Sequence, residues 1–109
     1  MTQKLIWNGK EIDGWVFDGK ELKPRSGASS NNTWVWEGNE FKRKNSATSG
    51  DTWVYDGKEF KPKNSATSSN TWVVSGNKCS PKTGANSDNT WEVGNAPIPV
   101  IIGKILRMY

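Results

Sequence analysis

The chain has 109 residues, enough for one domain with a modest core, and 33% of them are hydrophobic. Its 15 Lys and Arg against 11 Asp and Glu give a formal charge of +4. This mild basic excess favours solubility and does not predict nucleic acid as a partner. There is no histidine and a single cysteine, which excludes an internal disulfide framework and triads of the Ser-His-Asp or Cys-His kind.

The N-terminus, MTQKLIWNGK, has no apolar core of the kind found in secretory signals, so we expect no secretion by a signal peptide. No apolar run reaches the length of a membrane span, so we expect no membrane partner.

The chain is built on a repeat, because a tryptophan recurs at a constant interval of 19 residues. A short period of this kind indicates units that cannot bury their apolar face alone and must pack on one another. These tryptophans, predicted to be core residues, are Trp15, Trp34, Trp53, Trp72 and Trp91.

Each unit carries a β-hairpin signal. In the best-preserved unit, Asp56-Gly57 supplies the positive backbone angles of a two-residue type I′ turn. This turn would place Trp53 opposite Phe60, with Trp53, Tyr55 and Phe60 on one face. The same register gives apolar sets in the other units: Leu5, Trp7 and Ile12; Trp15, Phe17 and Leu22; Trp34, Trp36 and Phe41; Trp72, Val74 and Cys79.

The predicted fold is therefore an all-β domain of tandem 19-residue hairpin repeats, arranged as a closed barrel or prism or as a short hairpin solenoid. No helix is predicted. The array occupies residues 1–94, with units near 4–13, 14–32, 33–51, 52–70 and 71–89 and the start of a last unit at 90–94.

The connectors between hairpins are rich in Ser, Thr, Asn and Gly, which favour turns and bond to the local backbone. An alanine holds the same phase in each connector and predicts a partly buried spot where successive connectors touch. The four are Ala28, Ala47, Ala66 and Ala85.

Residues 95–109 lose the repeat pattern and form the most hydrophobic stretch of the chain. We expect this segment to be either a last strand of the array or an anchor for a protein partner. As an anchor, it could be deleted from residue 97 onward without unfolding the domain. The candidate docking residues are Ile98, Val100, Ile101, Ile102, Ile105, Leu106, Met108 and Tyr109.

A basic stripe is predicted on the outer face of the second strands, beside Glu21, Glu40 and Glu59. It is either a solvated face that discourages edge pairing or a docking surface for an acidic partner. Its members are Lys23, Arg25, Lys42, Lys44, Lys61 and Lys63.

The sequence predicts no catalytic, metal-binding or cofactor-binding residue, so we expect a protein that is not an enzyme. Cys79 takes the phase of Phe41 and Phe60, which favours a small core side chain over a nucleophile.

Two families resemble the repeat. Its hairpins with a leading Trp are similar to choline-binding repeats, which cage a quaternary amine between aromatic rings by cation–π attraction. Here, however, the second strand of a unit reads KEFKPK, without the aromatics that those repeats place there.

The other resemblance covers residues 18 to 109. Asp56-Gly57-Lys58, Lys61-Pro62-Lys63, residues 65–72 and the APIPVI run at 96–101 look like small repeat-bearing structural proteins of marine tailed bacteriophages. That resemblance implies a virion component, such as a capsid decoration protein or a tail appendage, present in the host cytoplasm during assembly. Its partners would be capsid or tail subunits, or further copies of itself. The alternative hypothesis is a module that binds carbohydrate or a small cation through its tryptophans.

Overall fold

The computed structural model describes residues 2–12, 14–45, 48 and 50–109. Within these ranges the chain forms eleven short strands and one helix. The elements are β1 (Gln3–Lys4), β2 (Glu11–Ile12), β3 (Trp15–Phe17), β4 (Glu21–Pro24), β5 (Trp34–Glu37), β6 (Glu40–Arg43), β7 (Trp53–Tyr55), β8 (Glu59–Pro62), β9 (Trp72–Ser75), β10 (Lys78–Pro81), β11 (Trp91–Glu92) and α1 (Ile98–Ile105).

All eleven strands belong to one sheet, which confirms the predicted all-β array of tandem hairpins. From β2 to β11 each strand pairs antiparallel with the next one in sequence, while β1 pairs parallel with β11 at the far edge. The sheet is not closed, because its two edges are β1 and β2. The closed alternative was therefore wrong. The edge strands are nevertheless consecutive in sequence, joined by residues 5–10.

The sheet is strongly curved. Eleven flat strands spaced about 4.8 Å apart would extend for about 48 Å, whereas the longest dimension of the molecule is 36 Å. The curvature gives the sheet a concave face, where the apolar side chains collect.

The hairpin turns lie one residue later than predicted. The Asp56 N–H donates to the Glu59 carbonyl over 3.1 Å, so the two loop residues are Gly57 and Lys58 rather than Asp56 and Gly57. Gly57 has a φ of 99°, and a positive φ at the first loop residue is the conformation of a type II′ turn.

This shift of the turn moves every cross-strand partner by two residues. Phe60 lies opposite Tyr55, and Trp53 lies opposite Pro62. A displacement of two residues preserves the alternation of side chains, so Trp53, Tyr55 and Phe60 still share one face. The predicted face was therefore right although the pairing was wrong.

The centre of the core is formed by the second strand of each hairpin. Each central residue lies opposite the tryptophan of the next unit, as Phe60 does with Trp72, whose ring centroid lies 6.4 Å from that of Phe60. The repeated tryptophans are only half-buried and pack around this centre. The residues that are 0% exposed on these strands are Leu22, Phe41, Phe60 and Cys79.

The C-terminal segment is a helix, not the last strand that was one of the two predicted alternatives. Successive helical residues point about 100° apart, and four in a row, Val100 to Gly103, are buried. The helix is therefore covered on all sides at this level, and both Leu22 of β4 and Tyr109 lie against it at Gly103. Pro99 fits because it lies in the first turn, where no intrahelical N–H bond is lost.

Each connector is held by the threonine at its end, just before Trp34, Trp53, Trp72 or Trp91. Thr71 is buried, and its hydroxyl donates to the Thr67 carbonyl over 2.6 Å. Asn70 accepts the Thr67 N–H over 2.7 Å. The same threonine bond occurs at Thr33, Thr52 and Thr90.

The predicted buried alanine site in the connectors is wrong where it can be compared. Ala28, Ala66 and Ala85 are exposed, and Ala47 lies outside the described residues. In three of the connectors the buried residue is the threonine, whose hydroxyl donates to a carbonyl of the same connector: Thr33, Thr52 and Thr71.

Candidate functional site

The outer face of the sheet carries a ladder of ion pairs between neighbouring units. In each pair, a glutamate at the start of a second strand meets a lysine just beyond the next second strand. The Nζ–Oε distances are 2.9 Å for Lys44–Glu21, 3.1 Å for Lys63–Glu40 and 3.3 Å for Lys82–Glu59. The hydrogen bond from Lys44 holds the pKa of Glu21 below its usual value, and Lys63 does the same for Glu40.

The ladder covers the outward valine of the intervening strand. Val35 lies between Glu21 on β4 and Lys42 on β6, and it is only 8% exposed although it points away from the core. The lysine stems therefore shield apolar surface while their charged ends remain near water.

The structure brings the predicted basic stripe together with acidic side chains. Lys23 lies 3.6 Å from Glu21, Lys42 lies 3.7 Å from Glu40, and Arg25 lies 3.0 Å from Glu11. Lys44 and Lys63 belong to the ladder. Lys61 lies close enough to lower the pKa of Asp56, after the larger effect of the backbone N–H groups of Glu59 and Lys58. The stripe is thus largely neutralised within its own face.

A different surface forms where the two edges of the sheet approach each other. β1 is held on β11 by N–H bonds from Gln3 to the Thr90 carbonyl and from Leu5 to the Glu92 carbonyl, at 3.0 and 2.9 Å. The chain then crosses to β2 through Ile6, which is 69% exposed. The end of α1 lies at this gap, because Lys104 lines the same depression as Lys4 of β1 and Ile12 of β2.

Two depressions open at the gap, and Lys104 lines both. The larger, of about 410 Å³, is lined by Gln3, Trp91, Lys104, Ile105, Arg107 and Tyr109. The smaller, of about 180 Å³, is lined by Lys4, Ile6, Asn8, Ile12 and Lys104. We call Lys4, Ile6, Lys104, Ile105 and Arg107 the seam surface.

Lys104 is held at the centre of this surface by its own chain. Its ammonium donates to the main-chain oxygen of Tyr109 over 3.1 Å and lies 5.6 Å from the ring centroid of Trp91 and 5.7 Å from that of Tyr109. The aromatic pair that could attract a small cation is therefore already occupied by a lysine.

The predicted docking residues separate into two groups. Val100, Ile101 and Ile102 are at most 1% exposed and belong to the core of this chain, so they offer no surface to a partner in this structure. The others are partly exposed: Ile98, Ile105, Leu106, Met108 and Tyr109.

Tyr109 ties the end of the chain to the core. Its hydroxyl donates to the Val100 carbonyl, and its ring lies 5.9 Å from that of Trp15. Burial raises its pKa above the usual value. Burial likewise raises the pKa of Cys79 to about 12, so the thiol is protonated at neutral pH and acts as a core side chain.

Comparisons with known proteins return no match, whether to a family model, a curated protein or a solved structure. In the described part of the chain, no cluster of three or more His, Cys, Asp or Glu is placed to hold a metal ion. The helix found there lacks the length needed to cross a bilayer.

Sequence reasoning missed the seam surface. Ile105 was among the predicted docking residues, but Lys4, Ile6, Lys104 and Arg107 were not singled out as a site. Their one sequence signal is the position of Ile6, an apolar residue out of phase with the inward Leu5 and Trp7.

Proposed function

We propose that the chain is a non-enzymatic structural protein that joins a larger assembly through the gap end of its sheet. The virion of a tailed bacteriophage is the assembly that the resemblance of the repeat implies, with capsid or tail subunits as partners. The protein would then reside in the virion, and in the host cytoplasm before assembly.

The observation that supports docking at this end is the exposure of Ile6. It is 69% exposed beside the accessible end of α1, whereas the large side chains on the concave face of the sheet are buried or half-buried. Exposed apolar residues grouped with accessible neighbours favour a contact surface. The part of the C-terminal segment available for docking is accordingly Ile105, Leu106 and Met108, with Ile6 added from the N-terminal side.

The proposal is tested by peptide mass spectrometry of virus particles purified from the culture in which the gene is expressed. We expect the chain in the particles at a copy number comparable with that of a capsid or tail subunit. Its presence in the cell lysate but not in the particles would overturn the proposal.

A matched pair of variants locates the contact. Ile6→Ser removes the exposed apolar side chain and should reduce incorporation, whereas Ile6→Leu retains it and should incorporate normally. The free energy of unfolding of both variants should lie within about 0.5 kcal/mol of that of the wild type, because the position is exposed. Equal incorporation of the two variants would show that docking does not use Ile6.

A further inference from the structure

The first hairpin turn differs from two later turns at a single position. The turns at 18–21 and 56–59 both read DGKE, whereas the turn at 8–11 reads NGKE. In all three turns the first loop residue is a glycine with a positive φ, which is 68° at Gly9 and 102° and 99° at the other two. Asn8 therefore occupies the position that an aspartate holds in the other two turns.

The two aspartates close their loops with their side chains, and Asn8 does not. Asp18 Oδ1 accepts the N–H groups of Lys20 and Glu21 over 3.0 and 2.8 Å. Asp56 makes the same pair of bonds in its own loop. Among the residues that the structure describes, none is hydrogen-bonded to the side-chain amide of Asn8. That amide is also exposed to water.

The residue that follows Asn8 offers the least obstruction to a reaction at its side chain. Asn8-Gly9 is the only Asn-Gly pair in the chain. Glycine has no side chain to shield its nitrogen, and a Cβ built on Gly9 would meet nothing within 4 Å. No carbonyl in the described part of the chain accepts the Gly9 N–H. The Gly9 nitrogen and the Asn8 carboxamide are therefore both open to water and not held by hydrogen bonds.

We infer that Asn8 is a site of spontaneous deamidation, a reaction to which asparagine is prone. Water acting as a base takes the proton from the Gly9 nitrogen, which attacks Asn8 Cγ. The new C–N bond closes a cyclic imide, and ammonia leaves. Water then opens the imide, so that the net change converts an amide and water into a carboxylate and ammonium.

The imide can open in two ways. If the bond between the Gly9 nitrogen and Cγ breaks, the product is an aspartate with an ordinary main chain. If the bond between that nitrogen and the main-chain carbon breaks, the product is an isoaspartate, and the chain then runs through the former side chain. The two products have the same mass and the same charge, but only the aspartate retains the normal backbone.

The turn favours the aspartate product. A carboxylate at position 8 can accept the N–H groups of Lys10 and Glu11, as Asp18 does in its own loop. Hydrogen bonds to a carboxylate are stronger than those to a neutral amide. An isoaspartate would instead add a carbon to the main chain of a hairpin in which Asn8 and Glu11 are paired. Deamidation with retention of the backbone therefore converts the first turn into the DGKE turn of the later units.

The modified residue lies at the proposed docking end of the molecule. Asn8 lines the smaller depression together with Ile6 and Lys4. Deamidation would place a negative charge close to the exposed apolar side chain of Ile6. The reaction depends on the chain alone, so it would occur whether or not the protein docks through this end.

The experiment is peptide mass spectrometry of the folded wild-type protein after incubation at mildly alkaline pH. Asn39 is the internal control, because it is an exposed hairpin residue without a described side-chain partner but precedes a glutamate. We expect Asn8 to gain the mass of an amide-to-acid exchange at least about tenfold faster than Asn39, a difference of about 1.4 kcal/mol in barrier height. Conversion of Asn8 no faster than that of Asn39 would overturn the inference.

A parallel sample in denaturant tests the role of the turn. Chromatography separates the aspartate and isoaspartate peptides, and we expect a larger share of aspartate from the folded protein than from the denatured one. Asn8→Asp presents the product from the start and should have a higher melting temperature than freshly purified wild type. Asn8→Gln, whose longer side chain closes an imide less readily, should show no mass change at this position. Equal product shares in the two samples, or a lower melting temperature for Asn8→Asp, would contradict the preference for aspartate.

Discussion

Gly103 on α1 packs so closely on Leu22 of β4 that a Cβ atom at position 103 would lie 2.8 Å from Leu22 Cδ2. The same Cβ would lie 2.8 Å from the Tyr109 hydroxyl. Leu22 is fully buried and the Tyr109 hydroxyl is bonded to the Val100 carbonyl, so neither group has room to move. The absence of a side chain at Gly103 is what lets the helix enter the curved sheet.

Gly103→Ala should therefore destabilise the protein. Alanine is favoured over glycine inside a helix by about 1 kcal/mol, but forcing an extra carbon into a packed core costs about 1–3 kcal/mol. We expect the steric term to prevail, with a net loss of up to about 2 kcal/mol in urea unfolding. Gly50→Ala is the control, since the nearest atom to its Cβ is Thr48 Oγ1 at 3.7 Å. Equal stability of the two variants would mean that the helix is not seated as described.

The helix should be part of the folding unit, so that truncation before it unfolds the domain. A finer test is Ile102→Ala, which removes a fully buried side chain and should cost about 2–5 kcal/mol. Ile98→Ala, at the partly exposed first residue of the helix, should cost clearly less. Chemical denaturation followed by tryptophan fluorescence measures both. A stably folded chain that lacks residues 97–109 would contradict this expectation and restore the segment as a detachable anchor.

The hairpins were predictable because the same signal occurs in unit after unit. In each unit a glycine follows a tryptophan by a few residues. The predicted apolar sets lie on the inward face of the sheet, although the turn was predicted one residue too early. The helix was not predictable in this way. Val100, Ile101 and Ile102 are β-branched, a composition typical of strands, and Pro97 and Pro99 interrupt the start of the segment.

The site was harder to predict than the fold, for a topological reason. The glutamate and lysine of a ladder pair, such as Glu21 and Lys44, are separated by an intervening strand, so their pairing follows only once the order of strands is known. The seam surface joins Lys4 to Arg107 from opposite ends of the chain. It exists because β1 pairs with β11, and nothing in the repeat predicts that parallel contact.

The buried connector threonines, Thr33, Thr52 and Thr71, should contribute to stability through their hydroxyls. Thr71→Val retains the shape of the side chain but leaves the Thr67 carbonyl without its 2.6 Å bond. The Thr67 carbonyl also accepts the Asn70 N–H over 3.2 Å and keeps that partner, so loss of the hydroxyl bond should cost about 0.5–1.5 kcal/mol. Thr90→Val removes the same bond to Asn86 at a more exposed position, where water can replace it, so the loss should be smaller. Thermal melts of the two variants provide the measurement, and a larger loss at Thr90 would contradict the role of burial.

The turn aspartates should make stability depend on pH at the acidic end. The backbone N–H groups of Glu21 and Lys20 lower the pKa of Asp18, and those of Glu59 and Lys58 lower the pKa of Asp56. Because the folded values lie below the ordinary 3.8, this stabilisation is present above that pH and is lost as pH falls through the folded values.

The variant Asp18→Asn/Asp56→Asn provides the comparison for this pH dependence. Asparagine retains a side-chain oxygen that can accept the same N–H bonds, but it does not titrate. We expect the melting temperature of the variant to fall less than that of the wild type as pH is lowered from neutral through about 3.8, the ordinary aspartate value. The variant should still lose some stability, because Glu21 and Glu40 also have a lowered pKa and are unchanged. Parallel curves for the two proteins would show that the turn aspartates are not held by their backbone bonds, and a steeper fall in the variant would reverse the sign of the argument.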